Sequence, residues 1–230
     1  MNKLWVFGDS FSATNKRNII EKWRKLYIKW KGYTPNVWCE FLNDSLQLKL
    51  HNLSISATDN YTIFDSIIHS LEKINKDDVI IIGWSNTIRF RVVNKSNTFN
   101  TILPNYLSET SKLNKDLSYL ELSNTTLEEM CINRDNNVYI NELNNYIKLL
   151  NFSFTNNKII HWSPFAQDKQ GLNTTLKTLT KYETINDETN GVVGDGHFSE
   201  NAHKVLSEQL ISIINDYDFS KLYNTSNTLI

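Results

Sequence analysis

The sequence predicts an α/β fold, built as a three-layer α/β/α sandwich around a parallel, doubly wound sheet. Short continuous apolar runs alternate along the chain with segments of helical periodicity, which is the order expected of parallel strands joined by helical crossovers. The first run, Leu4–Phe7, contains no polar residue, as a strand buried on both faces requires. A chain of 230 residues is also long enough to bury the core of one such domain.

Four strands and five helices follow from this pattern. The strands are predicted at Lys3–Phe7, Leu46–Leu53, Val79–Ile82 and Lys158–Trp162. The helices are predicted at Asn18–Lys31, Asn36–Leu42 and Thr62–Ile74, and around the apolar stretches Ile140–Leu150 and Leu206–Ile214. The basic residues of the first helix, Arg24 among them, are interpreted as a solvated face. The order is that of a flavodoxin-like sheet.

Two polar segments are longer than this fold needs, at Asn94–Asn133 and Phe165–Gly194. They follow the third and fourth predicted strands, so both start at the sheet edge where open α/β sheets bind ligands. Long insertions in a compact domain are often lids or binding loops. No repeat, linker or shift in composition marks a second domain, and we predict one domain over residues 1–230 that carries both insertions.

Composition excludes several classes of partner. The net charge of −1 gives no electrostatic support for nucleic-acid binding. No apolar run approaches the length of a membrane span, and the run before Gly8 is too short for a signal peptide, so we expect a cytoplasmic protein. The two cysteines, Cys39 and Cys131, have neither metal-ligand nor redox spacing and are expected to be free thiols.

The first candidate site residue is Ser10, in the tripeptide Gly8-Asp9-Ser10 directly after the first apolar run. Gly8 permits the tight turn that ends the strand, and Asp and Ser favour turns and helix starts. A serine at the carboxyl end of a strand lies where open α/β sheets bind ligands. Composition alone favours an ordinary turn, because a nucleophile also needs a histidine base and an acid that orients it.

Of the five histidines, His197 is the candidate base. It lies in the glycine-rich segment Gly194-Asp195-Gly196-His197, where Asp195 is close enough in sequence to hold the imidazole in one tautomer. Ser199 or Asn201 is expected to cap the helix that follows. The other four are expected to be structural, packing or solvated residues, namely His51, His69, His161 and His203.

The two blocks resemble the first and last signature blocks of the SGNH (GDSL-type) hydrolases. The first is Gly8-Asp9-Ser10-Phe11-Ser12, and the last is Asp195-Gly196-His197-Phe198-Ser199. The resemblance implies a catalytic triad of Ser10, His197 and Asp195 that works without a metal or an organic cofactor. The chain is also similar to SGNH-like proteins encoded by large bacteriophages, which implies a place in the virion if a phage encodes it.

Two middle blocks of the family are present with substitutions. The segment Asn52–Asn60 carries Ala57 where the family usually has a glycine whose backbone N–H binds the oxyanion. The segment Val79–Asn86 carries Ser85 in place of the usual asparagine, and Asn86 follows it. The resemblance therefore implies an oxyanion site made by the N–H groups of the nucleophile and Ala57, with the side chain of Ser85 or Asn86.

The spacing of acid and base also departs from the family. Asp195 precedes His197 by two positions rather than the usual three. We expect an irregular turn at Gly194 or Gly196 to fold the carboxylate back onto Nδ1 of the imidazole.

The expected activity is that of a serine esterase for small acyl esters, such as carbohydrate O-acetyl groups. No segment has the pattern of an apolar lid or an interfacial helix. Aromatic residues near the strand ends are candidate stacking surfaces for a sugar, and Trp84 and Asp9 are predicted substrate contacts. These aromatic residues are Trp84, Trp162 and Tyr106, with a place in the core as the alternative for all three and most of all for Trp162.

Two other functional classes fit the same sequence. The substituted middle blocks favour an SGNH scaffold that has lost its chemistry and binds glycans or other partners, as a virion component would. A flavodoxin-like domain that binds phosphate at the Gly8-Asp9-Ser10 turn is the second class. The absence of a longer glycine-rich fingerprint argues against phosphate binding.

Overall fold

The computed structural model describes residues 2–15, 22–87, 89–93, 99–102, 136–164 and 182–217. Most of the two predicted insertions, with Tyr106 and Cys131, lies outside the described residues.

The main sheet has four strands, all parallel, with the bounds β1 Lys3–Gly8, β2 Lys49–Asn52, β3 Val79–Gly83 and β6 Lys158–Trp162. Their order across the sheet is β2-β1-β3-β6. The predicted α/β fold with a parallel sheet is therefore confirmed, and the predicted bounds of the last strand match. A separate antiparallel hairpin, β4 Phe90–Val93 and β5 Phe99–Ile102, follows β3. Its second strand occupies the start of the predicted insertion Asn94–Asn133.

Six helices lie between and after the strands in the described ranges. They are α1 Lys22–Lys31, α2 Trp38–Leu46, α3 Asn60–Ile68, α4 Asn136–Ser153, α5 Ile185–Glu188 and α6 Glu200–Asn215. Helix α2 runs past its predicted end at Leu42 and includes Leu46, which the prediction gave to a strand. It ends where Gln47 adopts a left-handed backbone conformation, with φ of 51°. Helix α3 is shorter than predicted, because the chain tightens into a 3₁₀ turn at Leu71–Lys73.

Alternate residues of β1 enter two separate hydrophobic clusters. Leu4 and Val6 belong to one, with buried side chains of α2 and α6, whereas Trp5 and Phe7 belong to the other, with side chains of α3 and α4. Because successive side chains of a strand point to opposite faces, the two clusters lie on opposite faces of the sheet. Burial on both faces explains why the two central strands, β1 and β3, consist mainly of apolar residues.

A pair of glycines ends the two central strands. Gly8 of β1 and Gly83 of β3 are partners in the parallel register. A Cβ atom at Gly8 would lie 2.7 Å from Ser12 Oγ, and one at Gly83 would lie 2.5 Å from the same oxygen. The absence of side chains at both positions therefore lets the segment after β1 fold tightly across the carboxyl ends of the strands.

Candidate functional site

Ser10 lies in a tight turn that follows the central strand β1. The backbone carbonyl of Asp9 accepts hydrogen bonds from the N–H groups of Ser12 and Ala13, both at 3.0 Å. The Asp9 carboxylate accepts a third, from Phe11 N–H at 3.0 Å. The local sequence thus closes the turn with the aspartate at its start, which is the usual role of Asp in turns.

Three successive carbonyl groups of this turn are held by side chains from three different elements. Ser10 O accepts from Arg24 Nη2 at 2.6 Å, Phe11 O from Trp38 Nε1 at 3.1 Å, and Ser12 O from Asn52 Nδ2 at 2.7 Å. Helices α1 and α2 and strand β2 therefore each fix one peptide unit around the serine. Such fixation from several elements limits the positions that the serine hydroxyl can take.

The interpretation of Arg24 as part of a solvated face is wrong. Arg24 is buried, and its guanidinium also donates to Asn15 Oδ1. The carbonyl of Ser10 and the amide oxygen of Asn15 supply the acceptors that a buried guanidinium requires.

His197 is held at the start of helix α6 by a bent segment. The His197 carbonyl accepts from Ile185 N–H at 2.8 Å, and the Asp195 carbonyl accepts from Asn186 N–H at 2.9 Å. Ser199 caps α6, as predicted, by accepting from Ala202 N–H at 3.2 Å. Helix α5 and the cap of α6 therefore fix the backbone on both sides of the histidine.

The predicted convergence of the serine, histidine and aspartate is confirmed. Ser10 Oγ lies 2.7 Å from His197 Nε2, and His197 Nδ1 lies 2.6 Å from Asp195 Oδ1. The same carboxylate oxygen accepts the His197 backbone N–H at 3.1 Å. This local turn explains how an acid only two residues before the histidine reaches its ring. We call these three side chains the trio.

Electrostatics keep the acid of the trio charged. Burial alone would raise the pKa of Asp195, but hydrogen bonding and charge interaction with His197, with a contribution from Arg24, hold that pKa below its ordinary value. A carboxylate in this position stabilises an imidazolium and holds the neutral ring with Nδ1 protonated. The Nε2 lone pair then faces the serine hydroxyl.

The trio is open to solvent on the histidine side. The side chain of His197 is 25% exposed, whereas that of Asp195 is 6% exposed. The ring of Phe11 packs against the imidazole, with centroids 4.7 Å apart. A ligand could therefore reach the histidine while the aspartate stays shielded from water.

Backbone conformation at Ala57 matches the role expected of a glycine. Ala57 has a φ of 60°, in the left-handed region that glycine adopts most easily. In the described part of the chain, neither Ala57 N–H nor Ser10 N–H donates a hydrogen bond. Two predicted oxyanion donors thus remain available.

The prediction of the Ser85 hydroxyl as an oxyanion donor is wrong. Ser85 is fully buried, and its Oγ donates to Asp9 Oδ2 at 3.1 Å. The side chain of Asn60, in α3, forms two hydrogen bonds with the backbone of Ser85. It accepts from Ser85 N–H at 2.7 Å and donates to Ser85 O at 3.0 Å. Asn86, also buried, is the remaining side-chain candidate.

The predicted contacts of Asp9 and Trp84 with substrate are also wrong. The Asp9 carboxylate is 1% exposed and bonds protein groups only, and burial raises its pKa despite the nearby Arg89 guanidinium. Trp84 is fully buried, and its Nε1 donates to His161 Nδ1 at 3.1 Å. Trp162 is fully buried as well, so neither tryptophan offers a stacking surface. Trp84 directly follows β3 and Trp162 is the last residue of β6, and their large rings fill the core on opposite faces of the sheet.

An exposed tryptophan lies instead beside the segment that carries Asp195 and His197. Trp23, on α1, is 44% exposed, and the edge of its ring lies 3.9 Å from where a Cβ of Gly194 would be. Gly194 directly precedes Asp195. The sequence analysis gave no part in the site to Trp23, Arg24, Asn60 or Arg89.

Two of the remaining histidines are core residues. His161 bonds Trp84 and Asn151, which confirms the structural role expected of it, and burial lowers its pKa to about 3. His203, in α6, packs against Phe198, which precedes that helix. Burial, with the nearby charge of Arg24, lowers the pKa of His203 to about 3. Cys39 is a free, buried thiol, as expected.

Within the described ranges, no group of three or more His, Cys, Asp and Glu side chains is arranged to hold a metal ion. No helix among those residues combines the length and the apolar character that crossing a membrane demands. Comparison of the sequence with protein-family models and with curated proteins finds no match to either.

Proposed function

We propose that this protein is a serine ester hydrolase of the SGNH type, with Ser10 as nucleophile, His197 as general base and Asp195 as the acid that orients the base. The observation that carries the proposal is the unbroken hydrogen-bond chain from Ser10 Oγ through both imidazole nitrogens to Asp195 Oδ1. A serine becomes nucleophilic at neutral pH when a base oriented in this way accepts its proton.

We also propose the finer architecture that goes with this family, a three-layer α/β/α sandwich with a doubly wound sheet. Two hydrophobic clusters, each joined to a different pair of helices, support three layers. The strand order supports double winding, because the chain leaves β1 to one side for β2 and then crosses to the other side for β3. The site then lies at the switch point of the sheet.

The proposed reaction has two steps. Ser10 Oγ attacks the carbonyl carbon of the ester while His197 Nε2 takes the hydroxyl proton, and the tetrahedral intermediate collapses as the same proton passes to the departing alcohol. Water then attacks the acyl carbon with His197 again as base, and the second tetrahedral intermediate collapses as the imidazolium returns that proton to Ser10 Oγ and the carboxylic acid leaves. The Asp195 carboxylate stabilises the imidazolium formed in each step.

Backbone donors would stabilise the oxyanion in both steps. The N–H groups of Ser10 and Ala57 support this role, since no other group of the described chain accepts from them. Asn86 is the proposed third donor, in place of the buried Ser85 hydroxyl. Loss of one oxyanion donor typically costs about 2.7–4 kcal/mol of transition-state stabilisation.

The proposed substrate is a small acyl ester of a carbohydrate, such as an O-acetylated sugar. Trp23 supports the carbohydrate part, because an exposed indole beside Gly194 can stack on a sugar ring whose ester reaches Ser10. It takes over the stacking role that the sequence analysis gave to Trp84 and Trp162.

Labelling with a fluorophosphonate tests the proposed function, because only an activated serine reacts. We expect one adduct, located at Ser10 by mass spectrometry, and hydrolysis of nitrophenyl acetate in preference to long-chain nitrophenyl esters. Ser10→Ala should abolish labelling and lower kcat by about 10⁵–10⁶-fold. Ser153→Ala, on the exposed surface of α4, should behave as the parent.

One observation favours a second function, a binding module built on the same scaffold. The Ser85 hydroxyl is committed to Asp9 rather than to a ligand, so the oxyanion site lacks the family's usual side-chain donor at that position. An unlabelled Ser10 and no turnover of either ester would favour the binding module over the esterase.

A further inference from the structure

Arg89 connects the segments that follow the first three strands of the chain. Its Nη1 donates to Asp9 Oδ2 at 3.3 Å and to the backbone carbonyl of Thr58 at 3.0 Å. Its own backbone N–H donates to Asn86 O at 3.1 Å. A single side chain therefore joins the nucleophile turn, the segment after β2 and the segment after β3.

The contact with Asp9 has a clear electrostatic reason. Asp9 is buried, and its carboxylate accepts from Phe11 N–H and Ser85 Oγ besides Arg89. Hydrogen bonds alone leave a buried carboxylate uncompensated in charge, and an adjacent guanidinium supplies the opposite charge. The Arg89 side chain is itself only 10% exposed, so solvent screens this pair weakly.

The two acceptors of Arg89 Nη1 are the immediate neighbours of the two backbone oxyanion donors. Asp9 precedes Ser10, and Thr58 follows Ala57. One nitrogen thus fixes the distance between two segments whose N–H groups must converge on a single oxygen atom. Preorganised donors stabilise a transition state only when they stay close to the position that the oxyanion takes.

We propose that Arg89 is a positioning residue that holds the Ser10 and Ala57 segments at the spacing an oxyanion hole requires, without itself touching the substrate. This inference rests on the proposed esterase function and deepens it. It assigns the buried Asp9–Arg89 pair a role in the speed of the chemical step rather than in substrate affinity.

The test compares Arg89→Ala, Arg89→Lys and the parent with nitrophenyl acetate as substrate. For Arg89→Ala we expect kcat about 10²-fold lower, as after loss of an oxyanion donor, with KM within about 2-fold of the parent. Arg89→Lys should recover part of kcat, since an ammonium restores the charge but lacks the planar guanidinium geometry. Millimolar guanidinium chloride should raise the kcat of Arg89→Ala and leave the parent unchanged.

Lys158→Gln is the matched control. Like Arg89, Lys158 is a cationic side chain that donates to a backbone carbonyl, here that of Ile214, but it lies at the start of β6, far from the carboxyl ends of the strands. It should change Tm without changing kcat. An Arg89→Ala variant with parental kcat, or a loss that appears in KM alone, would overturn the inference while the esterase proposal stands. If Arg89→Ala does not fold, a folded Arg89→Lys with parental kcat overturns it equally. A parent that neither labels nor turns over ester removes both proposals together.

Discussion

Two histidines of this molecule sit in hydrogen-bonded chains and yet occupy opposite chemical situations. His197 lies between the hydroxyl of Ser10 and the carboxylate of Asp195, at the partly exposed end of the sheet. His161 lies between the indole N–H of Trp84 and the side-chain oxygen of Asn151, inside the core. Both rings have two partners at about hydrogen-bond length, so the number of partners does not distinguish them.

The chemical nature of the partners distinguishes His197 from His161. At His197 the carboxylate accepts from Nδ1 and leaves the Nε2 lone pair facing a hydroxyl that can give up its proton. At His161 the lone pair of Nδ1 already accepts from Trp84, and the partner of Nε2 is a neutral amide. A protonated His197 ring would form an ion pair with the Asp195 carboxylate. A protonated His161 ring would instead point its Nδ1–H at the indole N–H of Trp84, so that two donors face each other. The comparison teaches that the surroundings suited to a basic histidine are a carboxylate on one ring nitrogen and a hydroxyl on the other.

Replacing the anionic partner is expected to have the largest effect. Asp195→Asn gives His197 an amide neighbour like that of His161, so the imidazolium loses its counter-charge and the ring is free to take the wrong tautomer. We expect kcat for nitrophenyl acetate to fall by about 10⁴-fold, as in comparable triads. Asp44→Asn, an exposed carboxylate of α2, should leave kcat unchanged. Parental turnover by Asp195→Asn would mean that another group orients His197.

The core histidine predicts how stability depends on pH. Burial lowers the pKa of folded His161 to about 3, below the unfolded value of about 6.5. Its contribution to stability is therefore complete above about pH 6.5 and is lost as the pH falls toward 3, because the unfolded chain binds the extra proton. We expect urea unfolding of His161→Gln to show a pH slope smaller than that of the parent by about 1.4 kcal/mol per pH unit between pH 6 and 4.

A reciprocal exchange sharpens the same measurement. Asn151→Asp gives His161 a carboxylate partner, which should raise the pKa of the ring and so also reduce the parental slope. Asn151 is only partly buried, which lets the new carboxylate keep part of its hydration. Equal slopes in the parent and both variants would show that His161 does not titrate in the way its surroundings imply.

The smallest expected effect concerns access. Trp23 is exposed and lies beside Gly194 in the segment that leads to His197, whereas His161 is buried. Trp23→Ala should raise KM for an acetylated saccharide by about 3- to 10-fold, the range expected for one lost aromatic contact, and leave KM for nitrophenyl acetate unchanged. Phe152→Ala removes a more exposed aromatic ring on α4 and should change neither value. Equal KM increases for both esters would contradict a sugar-stacking role.

The sequence was sufficient for the parts of the fold and the site that depend on local patterns. The bounds of Lys158–Trp162 followed from a short, mostly apolar segment, and the cap at Ser199 from side-chain chemistry at a helix start. Ser10, Asp195 and His197 were found because short motifs keep their characteristic residues together. The one long-range inference that remained was that the parallel sheet brings the Ser10 motif and the Asp195–His197 motif to the same edge.

Contacts between distant segments could not be predicted in the same way. Nothing local distinguishes Arg24 from the exposed lysines around it, because its acceptor at Ser10 becomes a neighbour only in the folded chain. Arg89 depends in the same way on Asp9. Trp84 was predicted to offer a stacking surface because it lies at the end of a strand, but side chains of α4 pack beyond the end of β3 and bury its ring.

The separation of Ser10 and His197 by 187 positions has a consequence for how the protein comes into being. During synthesis the serine turn precedes the histidine segment by 187 residues. The strands between them must pair into the sheet before the two side chains can come into contact. Such distant contacts form late and slowly in folding. The serine of the nascent chain therefore has no base beside it, and the proposed esterase activity would serve as a direct assay for completed folding, absent from every intermediate in which α6 has not docked.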